Sequence, residues 1–325
     1  MPELPEVETI ARGLASRVSG DVIESVWLGQ KPQPLKSSAR EIAAVLEHSR
    51  IATVRRVGKH IVFDLEPNHA RPNHARRTLS SPSSGQALSA KGRRAKSSVK
   101  RATVTSSRIS SKMDAEADEG VRPTQGDQQA QWIVHLGMTG RLQVCEPQSE
   151  ILKHTHAILK LASGRELRFV DPRRFGRLSV AHGFDAGGVE PLEADLDHFL
   201  TLFRGRKTPI KSALLNQKLL RGVGNIYADE ALFRAGIRPR RRASTITRDK
   251  FAKLLSSIKE VLKEAIALGG SSISDYVDAD GEEGFFQLQH RVYGREGEAC
   301  LVCKSPVKRI VIGGRSSHYC AKCQR

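Results

Sequence analysis

Four of the chain's five cysteines fall in its last 26 residues, as Cys300-Leu-Val-Cys303 and Cys320-Ala-Lys-Cys323. Two CxxC pairs with 16 residues between them supply four thiolates at the spacing of a closed, tetrahedral Zn²⁺ site. The fifth, Cys145, stands alone, so the pattern reads as metal ligation and not as a disulfide framework. Lys304, Lys308, Arg309 and Arg315 lie between the pairs, interleaved with the apolar Val307, Ile310, Val311 and Ile312. This predicts a β-hairpin zinc finger that presents cations. A zinc clip that only stabilises the C-terminus satisfies the same spacing.

The cations are not confined to the finger. Of 325 residues, 53 are Lys or Arg and 35 are Asp or Glu, a net charge of +18. Such a surplus favours a polyanionic partner, nucleic acid first and an anionic membrane surface second. Residues 67–129 hold 12 Lys/Arg and 5 Asp/Glu, a net of +7, in a Ser-, Arg- and Gln-rich stretch with almost no aromatics. They read as a disordered basic insertion between two strands. The remainder still carries +11, so the insertion alone does not explain the charge. No apolar run approaches the ~18 residues of a membrane span, so no transmembrane helix is indicated. The start, MPELPEVETI, is acidic and lacks the pattern of a signal peptide. The expected compartment is the cytoplasm.

The elements that must position these groups are legible in outline. Val7, Ile10, Ala11 and Leu14 recur at helical spacing and predict a helix over 5–17, with Pro5 at its first position. Ile61, Phe63 and Leu65 alternate with Val62 and Asp64. Val134, Leu136 and Met138 alternate with Ile133, His135 and Gly137. Ala157, Leu159 and Leu161 lead into a Ser163–Gly164 turn, with Leu167 and Phe169 beyond it. This half reads as an antiparallel β-sandwich or barrel. Gly187-Gly188 and Pro191 mark a hinge into a helical second domain. Its clearest helix is 248–268, ended by Gly269-Gly270. The expected divisions are 1–187, 188–295 and 296–325.

Four motifs go further: MPELPEVET at the start, HLGMTG at 135–140, DPRRFG at 171–176 and GVGNIYADEALF at 222–233. With the zinc pattern behind them, the chain resembles the formamidopyrimidine-DNA glycosylase family over nearly its whole length, except about 67–129. The resemblance implies an α+β fold. An N-terminal antiparallel β-sandwich with flanking helices precedes a helical domain with a helix-two-turns-helix and the zinc finger. It implies a monomer that acts on double-stranded DNA holding damaged bases or abasic sites. The implied activity excises oxidised purines and then cleaves the strand by β,δ-elimination.

The resemblance also assigns roles. After loss of Met1, Pro2 becomes a secondary amine that attacks the sugar C1′ and forms an iminium. Glu3 is the general acid at the sugar ring oxygen. Lys59 contacts phosphate and assists β-elimination, and Arg315 grips the phosphates flanking the lesion. Met138, Arg173 and Phe175 fill the space left when a nucleotide flips out. Asn225 binds phosphate at a helix N-terminus, with Gly222 and Gly224 allowing close approach. His154, Arg206 and Lys207 match further DNA-contacting positions. Cys300, Cys303, Cys320 and Cys323 hold one structural zinc. The segment 271–295, with Asp278, Asp280, Glu282 and Glu283, corresponds to a loop thought to cap the flipped purine.

Taken singly, several of these residues read otherwise. Pro2 merely starts a helix, Glu6 caps it, Lys59 and Arg173 are solvated cations, Met138 and Phe175 are core, and Asn225 is an N-cap. Two other functions compete. One is the sister glycosylase for oxidised pyrimidines, which typically begins PEGPE where this chain has PELPE. The other is a non-catalytic zinc-finger protein that only recognises damage, against which Pro2, Glu3 and Lys59 together argue.

Overall fold

The computed structural model describes residues 1–30, 33–67, 129–272 and 284–325. The basic stretch 67–129 lies outside them except at its ends, as do Asp278, Asp280, Glu282 and Glu283. The chain opens with helix α1 (Leu4–Val18). Its apolar stripe, Val7, Ile10, Ala11, Leu14 and Val18, is buried, as the spacing predicts. Burial of each larger aliphatic side chain contributes roughly 1.5–3 kcal/mol. The helix starts one residue earlier than the periodicity suggests. Glu3 is the N-cap, Pro5 sits inside the first turn, and the Glu6 carboxylate reaches back to accept from the Glu3 N–H at 2.8 Å.

Strand β1 (Ile23–Leu28), helix α2 (Ala39–Leu46), β2 (Ser49–Val57), β3 (His60–Pro67), β4 (Ala130–His135), β5 (Arg141–Cys145), β6 (Thr155–Leu161), β7 (Glu166–Val170) and β8 (Arg177–His182) follow. They form two four-stranded antiparallel sheets, ordered β1-β6-β7-β5 and β2-β3-β4-β8. Alternating residues from both sheets share one core with α1. Ile61, Phe63 and Leu65 meet Leu142, Leu159 and Phe169 there. The antiparallel sandwich is therefore as expected. The opposite face of β3 is buried too, because Val62 packs with Val57 and Ile133 under Ala181, Phe184 and Ala186.

One alternation misleads. The pattern through Leu136 and Met138 suggests a continuing strand, but β4 ends at His135. Gly137 then adopts φ +66°, and Met138 turns outward. A side chain at Gly137 would lie 2.4 Å from the Phe175 carbonyl carbon. Close packing of two loops, and not sheet periodicity, decides this segment.

Helices α3 (Leu196–Phe203), α4 (Ile210–Leu214), α5 (Asn225–Ala235) and α6 (Arg248–Ala267) build a second core around Phe199, Phe203, Tyr227 and Phe251. α6 matches its sequence pattern closely. Helix α4 has only five residues, and a bend follows it that returns the chain to Gly222. Leu4 belongs to this second core while Val7 belongs to the first, so α1 is pinned in both. The chain closes with the hairpin β9 (Val307–Ile312) and β10 (Arg315–Cys320). Among the described residues, no helix is long and apolar enough to cross a membrane.

The β3–β4 ladder is complete to the pair Leu65↔Ala130. The strands on either side of the basic stretch therefore need only a short turn. Replacing residues 68–128 by a four-residue turn is expected to keep the fold and to raise stability by about 2 kcal/mol through a cheaper loop closure. Thermal melting checks this; loss of cooperative unfolding would show that the stretch is structural.

Candidate active site

The N-terminus is held by backbone before it is held by side chains. The Leu4 N–H donates to the Gly222 carbonyl at 3.0 Å, which lays the first residues along the GVGN bend. Pro2 is buried there. The Glu3 carboxylate enters the space beside Gly224, where an added Cβ would lie 2.2 Å from Glu3 Cδ. Gly224 has φ −130° and ψ −158°, a conformation open to any residue. The glycine is thus required by the close approach of Glu3 and not by the backbone.

Glu3 Oε1 accepts from the Ile226 N–H at 3.2 Å, in the first turn of α5. Its other oxygen, Oε2, is buried with no hydrogen-bond partner among the described residues. Burial pushes the Glu3 carboxyl above the ordinary carboxylate range, against the opposing pull of Lys59. Burial likewise draws the Lys59 ammonium below its ordinary value, while Glu3 and Glu6 resist. The amino group of Met1 is lowered by the same burial and feels Glu3, Glu6, Lys59 and Arg315. One small buried region therefore holds an amine-bearing chain start, a carboxyl biased to keep its proton, and a lysine biased to lose one. Shifts in these opposite directions narrow the gap between acid and amine, which favours proton exchange among them.

Lys59 stands in the two-residue turn between β2 and β3, after Gly58 at φ +60°. That turn projects it inward, where it is 8 % exposed, so the solvated-cation reading fails. Arg315 begins β10, after Gly313 and Gly314, both at positive φ. It is exposed, yet close enough to act on Lys59 and on the chain start.

Asn225 is not an N-cap. Gly224 holds that position, and Asn225 is the first helical residue. Its Nδ2 donates weakly to Ser316 Oγ at 3.4 Å, and its Oδ1 is buried without a partner among the described residues. At the same helix start, the Ile226 amide is taken by Glu3.

Met138 and Phe175 are 42 % and 51 % exposed, so the core reading of both is wrong. They stand on adjoining loops with Arg173, whose guanidinium carbon lies 4.9 Å from the Phe175 ring centre. Asp171, fully buried, ties these loops together. It accepts from Thr139 Oγ1 at 2.6 Å and from the Gly176 N–H at 2.7 Å. The His154 carbonyl accepts the Asp171 N–H at 3.0 Å, which sets exposed His154 beside the same loops. Arg206 and Lys207 are exposed after α3, and no hydrogen bond or ion pair links them to Glu3 or Lys59 among the described residues.

Several organising residues escape a reading by motif. Glu6 Oε1 accepts from the Ser271 N–H at 2.8 Å and from the Tyr227 hydroxyl. Asp229, on α5, pairs with Lys211 at 2.7 Å, and both are fully buried. Asp229 also accepts from Ser317 Oγ and the His318 N–H, while Lys211 Nζ donates to the Ser316 carbonyl at 2.7 Å. The pair thereby fixes the strand that carries Arg315. Glu230 receives the N–H groups of Arg291, Val292 and Tyr293. The signal was present: Asp229 and Glu230 are the two carboxylates of an otherwise largely apolar helix, so burial and partners were implied.

The thiol sulfurs of Cys300, Cys303, Cys320 and Cys323 all lie within 4.8 Å of one another. That spread suits four ligands about 2.3 Å from one central zinc.

Three family models match in order. They are the formamidopyrimidine-DNA glycosylase N-terminal domain over residues 1–178, its H2TH domain over 188–277, and a zinc finger found in FPG and IleRS over 297–325. The chain belongs to the formamidopyrimidine-DNA glycosylase family. A relative from Solibacter usitatus (strain Ellin6076), named formamidopyrimidine-DNA glycosylase, is 52 % identical over the full length of both chains. One of the same name from Thioalkalivibrio sulfidiphilus (strain HL-EbGR7) is 38 % identical, again over the full length of both. The MutM (FPG) crystal structure from Thermus thermophilus superposes with a TM-score of 0.72 at 35 % identity, covering 99 % of this chain and 98 % of that one. The Lactococcus lactis Fpg in complex with abasic-site DNA gives 0.75 at 27 % identity and 99 % coverage of each. The zinc finger of this family and the four-cysteine cluster agree on one bound zinc ion.

In Gly224→Ala the new methyl must displace Glu3, so amide exchange at Ile226 is expected to accelerate at least ~10-fold. Unchanged protection would mean that Glu3 does not occupy the gap. Stripping zinc from the finger removes metal binding worth on the order of 10 kcal/mol. Protease nicking within 297–325 is then expected while the two cores still melt cooperatively; an intact finger in excess chelator would contradict the metal reading.

Proposed function

We propose that this chain is a bifunctional DNA glycosylase and abasic-site lyase of base excision repair, acting on oxidised purines such as 8-oxoguanine and formamidopyrimidines. The observation that carries the reading is the burial of Glu3 and Lys59 together around the start of the chain. Family membership supports it, as do relatives solved with lesion-bearing DNA. One is a MutM structure with carbocyclic 8-oxo-G DNA, at TM-score 0.75 and 27 % identity.

With Met1 removed, the Pro2 nitrogen attacks C1′ of a nucleotide flipped from the duplex. The C1′–base bond breaks as the nitrogen bonds, and the base leaves with the bonding pair and takes up the proton lost from the Pro2 nitrogen. Glu3 then delivers its proton to the ring oxygen as the C1′–O4′ bond opens, which leaves an iminium joining Pro2 to the opened sugar. The raised Glu3 keeps that proton available. Lys59 serves proton transfer in β-elimination, and Arg315 holds the flanking phosphates for the δ step. Met138, Arg173 and Phe175 fill the vacated space: two apolar side chains and a planar cation substitute for lost stacking. Asn225, His154, Arg206 and Lys207 contact the backbone. Cys300, Cys303, Cys320 and Cys323 hold a zinc ion that shapes the hairpin carrying Arg315. The working divisions are 1–187, 188–295 and 296–325, and the place of action is the DNA of the bacterial cytoplasm.

Borohydride trapping on a duplex with 8-oxoguanine opposite cytosine tests this. A covalent adduct on the peptide that begins at Pro2 is expected. An adduct only with oxidised pyrimidines would assign the chain to the sister activity, and none on any lesion would leave a damage-binding protein.

A further inference from the structure

The second domain carries a concentration of positive charge away from the buried site. Two basic stretches, Arg204-Gly-Arg206-Lys207 and Arg238-Pro-Arg240-Arg241-Arg242, lie more than thirty residues apart in sequence. The fold joins them. Ser244 N–H donates to the Arg206 carbonyl at 2.8 Å, Ala243 N–H to Thr208 at 3.0 Å, and Ile210 N–H to Arg241 at 2.8 Å. Pro209 and Arg242 form an antiparallel bridge.

Some of these cations are occupied. Arg248 pairs with Asp197 at 2.7 Å. The Arg241 guanidinium donates to the Thr245 carbonyl at 3.0 Å, that of Arg238 to Ala321 at 3.3 Å, and Arg206 Nε to Leu202. Arg204, Lys207, Arg240 and Arg242 are exposed and have no anionic partner among the described residues. An isolated run of charge is ordinarily a solvated face. Here backbone bonds hold two runs side by side, and their mutual repulsion is left without an internal counter-ion. Arg240 stands in the turn that the Arg241 N–H closes on the Arg238 carbonyl at 2.9 Å, and Arg242 follows at the bridge to Pro209, so both are presented from one short, backbone-fixed segment.

The geometry points to a phosphate-binding ridge, formed by Arg240 and Arg242 beside Arg204 and Lys207, that grips the duplex backbone outside the lesion. The inference rests on the DNA reading above and extends its footprint from Lys207, which that reading already uses, to Arg204, Arg240 and Arg242. The ridge carries no base-reading geometry, so it adds affinity without lesion choice. Its effect depends on salt and on duplex length.

The test is the double variant Arg240→Gln/Arg242→Gln against a control of equal charge change, Arg40→Gln/Lys263→Gln. Binding to an abasic-site duplex is measured across salt concentrations, on a long duplex and on one cut back to a few base pairs around the lesion. Loss of two phosphate contacts is expected to lower the slope of log K against log salt by about 2 on the long duplex. On the short duplex the variant and wild type converge. Excision at saturating enzyme is unchanged, and the control behaves as wild type. Equal slopes for variant and wild type on both duplexes would overturn the ridge, as would an equal loss in the control. Failure of the wild-type protein to bind either duplex would instead overturn the function on which the ridge rests.

Discussion

The arrangement depends on a missing side chain. Gly224 leaves a gap that admits the Glu3 carboxyl against the first turn of α5, closer than any Cβ would permit. With Glu3 seated, the Ile226 amide has an acceptor and Pro2 is carried into the interior beside Lys59. The cost is a carboxyl removed from water with only one oxygen matched. Keeping its proton offsets that cost, and the same shift suits an acid.

Around this gap the molecule uses buried charge to set geometry more than to add stability. Pairs such as Lys211–Asp229 recover little beyond their desolvation, although breaking one leaves an uncompensated ion. Their value lies in direction. Lys211 and Asp229 hold Ser316, Ser317 and His318, and so aim Arg315. Arg56, buried between Glu8 of α1 and Glu190, does the same for the sandwich side, with Arg221 also reaching Glu190. Asp171 closes the two loops that display Met138, Arg173 and Phe175. Rigid elements thus place groups that would otherwise drift on turns.

Much of the fold was readable because periodicity reports burial directly. α6 and the hairpin across Ser163–Gly164 match their patterns, and the zinc cluster follows from cysteine spacing alone. Periodicity failed where contact between distant segments decides. Met138 continues a strand pattern but sits after a left-handed glycine; the short α4 ends where the chain must bend to meet the N-terminus. In the candidate site, family motifs pointed to Glu3, Lys59 and Arg315, but not to what brings them near one another. The reason is tertiary: Lys59 lies in a turn and Glu3 beside a helix start, some 220 residues from Gly224 in sequence. The glycines of GVGN look like room for a phosphate and prove to be room for Leu4 and Glu3.

Burial beside Gly224 and Ile226 shifts the Glu3 carboxyl toward its protonated form. The most direct measurement is the titration of its side-chain carboxyl by ¹³C NMR, assigned by difference from Glu3→Gln. The account predicts a midpoint clearly above that of the exposed glutamates in the same spectrum. A midpoint at or below theirs would contradict it.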